Sequence, residues 1–156
     1  MALMARPSLL LLDKPTTALN VMVEAAVMEL VRDLGRKCGT SVLFISHDLD
    51  LVQEVCDRIC VIYSSEAVER GRVTDVLSRM RHRYTQALFR VIPLPGTDKN
   101  LRQIKAIPGN FPLPHEPPPG CNFGPRCDYF QPGRCDAQEI PMLPAGLDER
   151  HDTHCL

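Results

Sequence analysis

The 156-residue sequence has no apolar run close to the roughly 20 residues that a membrane-spanning helix needs. Its charges are balanced, with 18 Lys and Arg against 19 Asp and Glu, so there is no bulk electrostatic reason to expect nucleic acid as a partner. It also lacks G-x-x-x-x-G-K-[ST], the loop whose backbone amides cradle nucleotide phosphates. The apolar N-terminal stretch is too short for a signal peptide, and Asp13 and Lys14 end it. These absences predict a cytosolic protein.

Proline is scarce in the first part of the chain and abundant in the second. Twelve of the 14 prolines lie between Pro93 and Pro144. Beyond Pro93 no clear periodicity remains, so we expect a loop-rich segment that a large core does not hold together. We predict two domains, with residues 1–80 forming part of an α/β domain and residues 81–156 forming an irregular extension rich in Pro and Cys.

The first part of the chain alternates between strand-like and helix-like patterns. The all-apolar residues 9–12 predict a strand covered on both faces, and apolar residues recur at helical spacing between Val21 and Lys37. Further strands are predicted at 41–46, 58–63 and, as an edge strand, 67–71, with helices at 49–55, 75–79 and 85–91. This rhythm favours a parallel sheet of βαβ units, with helices as crossovers.

Two polar residues follow predicted strands: Asp13 ends the first, and His47 comes directly after the run SVLFIS. Ligands of open parallel sheets collect at the carboxyl ends of the strands. An acid at such an end can hold Mg²⁺, and a histidine can donate a hydrogen bond to a phosphate oxygen. Either residue alone is more often a cap or a turn residue, but the two together favour a nucleotide site.

Four cysteines form a second candidate site in the Pro-rich segment, with the spacing C-x5-C-x7-C-x19-C: Cys121, Cys127, Cys135 and Cys155. Four thiols in a segment with little core indicate a shared ligand that holds the segment together. Zinc fits less well, because structural zinc sites tend to use pairs separated by two to four residues. Disulfides are disfavoured in a reducing cytosol, so an iron–sulfur cluster, zinc, and disulfides or free thiols all remain open.

Three ordered motifs resemble one protein family. LLLLDKPTTALN resembles the Walker B and D-loop segment of ABC-transporter ATPases, which usually reads as four apolar residues followed by DEPTTALD. VLFISHDL is similar to the switch-histidine segment of that family. RHRYTQALFRVIP, followed by PPPGCNFGPRC, is similar to the C-terminal extension of the oligopeptide/dipeptide importer branch. The resemblance implies the C-terminal half of an ATP-binding subunit with a partial P-loop NTPase fold, whose Walker A loop, Q-loop and signature motif would precede Met1.

The same resemblance implies roles and partners. Asp13 would hold Mg-ATP as the Walker B acid, provided that a partner supplies the Walker A loop, and His47 would be the switch histidine. The four cysteines would bind a [4Fe–4S] cluster, with zinc as the alternative. The chain would work with a second ATP-binding subunit and with membrane-spanning permease subunits, peripherally on the inner face of the cell membrane, and without nucleic acid.

Two positions depart from the family pattern. Lys14 stands where the family has the glutamate that polarises the attacking water, and the loss of such a general base typically costs about 10²–10⁴-fold in rate. Asn20 replaces the D-loop aspartate, which removes a negative charge while keeping a good helix N-cap. We therefore expect no intrinsic ATPase activity from this chain alone.

Three functions remain open from the sequence: part of the ATP-binding subunit of a peptide importer, a non-catalytic iron–sulfur or zinc regulatory module, and a decayed remnant without activity. Residues outside the two candidate sites are predicted to have structural roles. The basic group around His82 and Arg83 is expected to be a solvated helix end. His151 and His154 are expected to be exposed tail residues, with substitution for a cysteine in a mixed metal site as the alternative. The remaining cysteines are expected to be small buried hydrophobic residues: Cys38, Cys56 and Cys60.

Overall fold

The computed structural model describes residues 7–15, 21–91, 106–113, 115–145 and 150–156. Its contacts divide the chain into two compact units, Met1–Cys56 and Asp57–Leu156. The boundary between the two predicted domains, after residue 80, stays a prediction. Among the described helices, none combines the length and the apolar character required to cross a membrane.

The first unit contains a βαβ unit. Strands β1 (Leu9–Asp13) and β2 (Ser41–Ile45) are parallel, in a register that runs from Leu9 opposite Ser41 to Asp13 opposite Ile45. The crossover is helix α1 (Val21–Cys38), and helix α2 (Leu49–Val55) follows β2. The parallel pairing confirms the predicted βαβ unit, because two parallel strands require such a crossover.

Local chemistry sets the ends of these elements. Gly39, at φ 67°, follows the last residue of α1, as expected for a residue that ends a helix in the left-handed conformation. The Asp48 side chain caps α2, since its Oδ1 accepts a hydrogen bond from the Leu51 N–H at 3.0 Å. The buried Thr40 hydroxyl donates to the Pro7 carbonyl at 2.7 Å and ties the start of β2 to the residues before β1.

The second unit is built on an antiparallel sheet. Strands β3 (Arg58–Tyr63) and β4 (Glu66–Arg72) form a hairpin, whose turn residues Ser64 and Ser65 both have positive φ, as the favoured two-residue hairpin turns do. Two short strands from the end of the chain extend the sheet, β5 (Leu143–Pro144) and β6 (Asp152–Thr153), and the strand order is β3-β4-β6-β5. The unit also holds helices α3 (Val73–Ser78) and α4 (Arg83–Arg90) and a 3₁₀ turn at Gly124–Arg126.

Two topological predictions were wrong for this unit. Strand β3 was expected to continue the parallel sheet, but it pairs antiparallel with β4. The segment predicted as an edge strand lies inside the sheet, because β6 pairs with it at Glu69 and Arg70. The strand that covers it comes from about 80 positions later in the chain, at Asp152 and Thr153, so no local pattern announces the pairing.

The core of the second unit is aliphatic under the hairpin and aromatic toward the extension. Ile59, Val61 and Tyr63 alternate with exposed residues along β3, as expected for a strand with one buried face. The Tyr63 ring lies 4.6 Å from Tyr84 and 5.3 Å from Phe123, measured between ring centroids. Aromatic pairs at such separations contribute about 0.5–1.5 kcal/mol beyond burial, so they fasten the extension to the hairpin.

Candidate functional site

Asp13 and the segment leading to His47 lie at the same carboxyl edge of the β1–β2 pair. Asp13 is the last residue of β1 and is opposite Ile45, and His47 follows two residues later. Both side chains are exposed. Both residues lie at or just beyond the carboxyl ends of parallel strands, the usual place of ligands in open sheets, and their role in a nucleotide site stays a prediction.

Lys14 extends this edge by one residue in a special conformation. Its N–H donates to the Ile45 carbonyl at 3.0 Å, and its φ is 43°, in the left-handed region that non-glycine residues seldom occupy. Lys14 therefore places an exposed ammonium group on a backbone in a strained, left-handed conformation. Asn20 lies outside the described residues.

The helix cap at this edge is Asp48, the residue after His47. Asp48 caps α2, and its own N–H donates to the Ser46 hydroxyl at 2.9 Å. No capping bond is made by His47 among the described residues. The histidine is thus held on a structured turn and its ring is left to solvent.

The second site is a cavity in the second unit with a volume of about 120 Å³. All four predicted cysteines line it: Cys121, Cys127, Cys135 and Cys155. Because roughly 10–15 Å³ of such volume suffices for one water, the cavity has room for a larger group. The apolar part of the wall includes Phe123, Phe130 and Ile140. The structure therefore brings together four thiols that span 35 positions of sequence.

Burial is the main influence on these thiols. It raises the pKa of Cys121, Cys127 and Cys155, and the other cysteines of the cavity raise it further because nearby thiolates would repel one another. Hydrogen bonds from backbone N–H groups act in the opposite direction and lower the pKa of these thiols. The N–H groups of Phe123 and Gly124 donate to the Cys121 sulfur, and those of Tyr129 and Arg83 donate to Cys127 and Cys155. Burial therefore favours the neutral thiols, and the backbone N–H groups offset part of this effect at three of the four sulfurs.

The sulfurs line the cavity without converging on one point. Within the described ranges, no group of three or more His, Cys, Asp or Glu side chains is arranged to hold a single metal ion. All seven cysteines are free thiols, and none is paired in a disulfide. A single zinc ion would require sulfurs about 2.3 Å from one centre.

Residues 68–135 match the sequence model of a family described as "Oligopeptide/dipeptide transporter, C-terminal region". This segment, 68 of the 156 residues, is similar to the C-terminal region of that transporter family. It is 44% identical over 126 residues to the oligopeptide transport ATP-binding protein AppD of Bacillus subtilis, covering 81% of this chain and 38% of the relative. It is 38% identical over 156 residues to the oligopeptide transport ATP-binding protein OppF of Salmonella typhimurium, covering 99% and 46%.

A Brucella melitensis protein whose name assigns it to peptide import and ATP binding is 41% identical over 149 residues, covering 96% of this chain and 44% of the relative. The chain thus spans less than half the length of these curated relatives. The comparisons confirm the resemblance to the oligopeptide/dipeptide transporter family that the motifs indicated.

The second unit buries basic residues that were predicted to be solvated. His82 is only 1% exposed, and burial lowers its pKa to about 4, so it is neutral in the fold. Arg83 lines the cysteine cavity, with its guanidinium carbon 3.7 Å from the Tyr129 ring centroid. The solvated helix end was therefore a wrong prediction for these two residues, because the C-terminal segment folds over them.

The prediction that the two C-terminal histidines are exposed was also wrong. His151 and His154 are 3% and 8% exposed, and the His151 Nε2 lies 2.7 Å from Oε1 of the fully buried Glu69. Conversely, Cys38 and Cys60 are exposed, although they were expected to be buried. A single residue type carries little information on burial when the partner segment is far away in sequence.

Proposed function

We propose that this chain forms part of the ATP-binding subunit of a peptide importer and that Asp13 and His47 contact Mg-nucleotide in the assembled protein. The observation that carries the proposal is the in-register pairing of Asp13 with Ile45, which puts the acid and the turn bearing His47 at one edge of a parallel sheet. The names of the relatives, which give ATP binding and peptide transport, support the same function.

In this proposal Asp13 is the Walker B acid and His47 the switch histidine. Asp13 would hold Mg²⁺ directly or through water, and His47 would donate to a phosphate oxygen. Lys14 cannot accept a proton from water, so a site completed by a partner's Walker A loop would bind nucleotide without hydrolysing it through this residue. The partners would be a second ATP-binding subunit and membrane-spanning permease subunits, with the chain on the cytoplasmic face of the membrane.

Nucleotide binding tests this proposal. The full chain is titrated with a fluorescent ATP analogue, with and without Mg²⁺, in the presence of a polypeptide that carries the Walker A loop of a relative. We expect Mg-dependent binding that Asp13→Asn weakens at least about tenfold, equivalent to ~1.4 kcal/mol. The control is Asp33→Asn, which neutralises an exposed acid of α1 away from the strand ends. Binding that Asp13→Asn leaves unchanged would contradict the assignment.

A second proposal concerns the cysteines, which we assign to a [4Fe–4S] cluster. Each of the four irons of such a cluster takes one thiolate, so its ligands surround a volume and do not converge on one ion. Four thiols around a cavity of about 120 Å³, with backbone amides directed at three sulfurs, support this geometry over a zinc site. When bound, the cluster would supply one-electron redox chemistry and would tie the extension together.

Purification without oxygen, followed by iron, sulfide and zinc assays, tests the cluster. We expect iron and labile sulfide together with a broad absorption band at about 400 nm, which is typical of cysteine-ligated clusters. Cys127→Ser should abolish the band, whereas Cys38→Ser, at an exposed cysteine of the first unit, should leave it unchanged. A zinc-loaded or metal-free protein would refute the cluster. If nucleotide binding also failed, a remnant without activity would be the remaining explanation.

A further inference from the structure

Arg83 is the cation that the fold holds most firmly beside the cysteine cavity. It is the first residue of α4, half-buried, and its guanidinium stacks on the Tyr129 ring at 3.7 Å from the centroid. Its NH1 group also donates to the Gln86 side chain at 3.0 Å. Cation–π stacking and a fixed hydrogen bond both restrict the rotamers of this long side chain, so the charge keeps one position.

Arg83 lines the same cavity as the four thiols, and so does Tyr129, on which its guanidinium stacks. Among the described groups, Arg83 is also the cation whose charge favours the thiolate forms of Cys127 and Cys155. Its backbone N–H also donates to the Cys155 sulfur, so one residue contacts the ligand set through both backbone and side chain.

The other polar groups around the cavity do not duplicate this role. His82 is buried and neutral, and Asp128 opposes the effect because its negative charge lies near Cys127. Arg134 also lines the cavity, but it is exposed, and its NH1 group donates to Gln131 at 2.9 Å. An exposed charge is screened by water and salt more than a half-buried one.

We propose that Arg83 sets the reduction potential of the cluster held by Cys121, Cys127, Cys135 and Cys155, through the charge of its guanidinium beside Cys127 and Cys155. This inference rests on the cluster assignment made above. One electron taken from a chemical reductant adds one negative charge to the cluster, and a fixed nearby cation stabilises the reduced state more than the oxidised one. Arg83 would act on the cluster through its charge and would not be one of its ligands.

Redox titration of the anaerobically purified chain with dithionite tests the role of Arg83. Arg83→Gln should lower the ratio of reduced to oxidised cluster at a fixed potential about tenfold, which corresponds to 59 mV for a one-electron couple. Arg83→Lys should shift the potential less than Arg83→Gln, because it keeps the charge although it loses the guanidinium stacking on Tyr129. The control Arg90→Gln removes an equal charge from the other end of the same helix, outside the cysteine cavity, and should not change the potential.

The outcomes separate this inference from the assignment of the cluster. An iron-free wild type refutes both. A wild type with full iron and an Arg83→Gln variant with unchanged potential refutes the role of Arg83 and leaves the cluster standing. Equal shifts, or equal losses of iron, in Arg83→Gln and Arg83→Lys also refute it, because packing and not charge would then explain them. A shift that shrinks as ionic strength rises supports the electrostatic origin.

Discussion

Gly120 adopts a left-handed backbone conformation with φ 72°, and a Cβ atom built on it would overlap the carbonyl oxygen of Cys135. The same carbonyl accepts a hydrogen bond from the Cys121 N–H at 2.8 Å. The close approach of these two chain segments brings the first and third cysteines of the cavity together. Glycine is needed here for two reasons, the positive φ and the absence of a side chain.

We predict that Gly120→Ala destabilises the second unit and lowers its metal content. The left-handed conformation alone costs about 1–2 kcal/mol for a residue with a Cβ atom, and the overlap with Cys135 adds about 1–3 kcal/mol. Denaturant unfolding and iron assays measure the effect. Gly133→Ala is the matched control, since its φ is 77° but a Cβ atom there would meet nothing within 4 Å. Equal losses in both variants would rule out the proposed contact.

The residues of the cysteine cavity differ in how well their role could be predicted from the sequence. The four cysteines could be selected in advance because thiols are chemically distinctive and their spacing was unusual. Arg83 could not, because an arginine at the start of a helix has the same local pattern whether it faces solvent or a cavity. The signal that could have drawn attention to it was its place in RHRYTQALFRVIP, just before the cysteine segment.

Glu69 joins three elements of the second unit. It is fully buried on β4, and its two carboxylate oxygens accept hydrogen bonds from the N–H groups of Arg81 and His82 at 2.8 and 3.0 Å. His151, just before β6, completes the set at 2.7 Å. Cys155 lies two residues after the end of strand β6, so this buried carboxylate also positions the segment that carries the fourth thiol.

Glu69→Gln is predicted to lower the free energy of unfolding of the second unit by about 1–3 kcal/mol, as expected when a buried hydrogen-bonding group loses its partner. A Gln side chain has one acceptor oxygen, so one of the two backbone N–H groups would remain unpaired. Chemical denaturation followed by far-UV circular dichroism gives the value.

Asp152→Asn is the control for this change, because its salt bridge to the largely exposed Arg70 at 2.8 Å should contribute at most about 1 kcal/mol. If the two variants had the same stability, Glu69 would not hold the elements together in the way the contacts indicate.

At the scale of the whole molecule, the first unit presents apolar side chains of its described sheet to solvent. Leu9, Leu11 and Leu43 are 54%, 58% and 49% exposed, and Leu11 lies opposite Leu43 across the two strands. An exposed apolar sheet surface of this kind favours association.

We therefore predict that the purified chain self-associates and that its melting temperature depends on protein concentration. The double substitution Leu11→Lys and Leu43→Lys should weaken association at least about tenfold, because burying one leucine contributes about 1.5–3 kcal/mol. Sedimentation velocity over a range of concentrations measures it. Ile62→Lys, at a residue of the second unit that is 62% exposed, is the control. A sharp, concentration-independent monomer would contradict the prediction.

The sequence by itself determined the local elements and the chemistry of the candidate sites. The predicted bounds of α2 and β3 agree with the structure, and those of α1 and β1 agree within one residue, because apolar periodicity and capping residues act over a single turn or strand. The same local reasoning placed Asp13 and His47 at strand ends and selected the four cysteines.

Only the tertiary structure decided which distant segments meet. It pairs β4 with β6, buries His151 against Glu69, and brings Arg83 to the wall of the cysteine cavity. The contact between His151 and Glu69 joins residues 82 positions apart, and the contact of Arg83 with Tyr129 also joins distant segments. Their free energy comes from burial, aromatic packing and hydrogen bonds that no window of neighbouring residues contains. Chemical identity is local in the chain, whereas burial and electrostatic environment are properties of the fold.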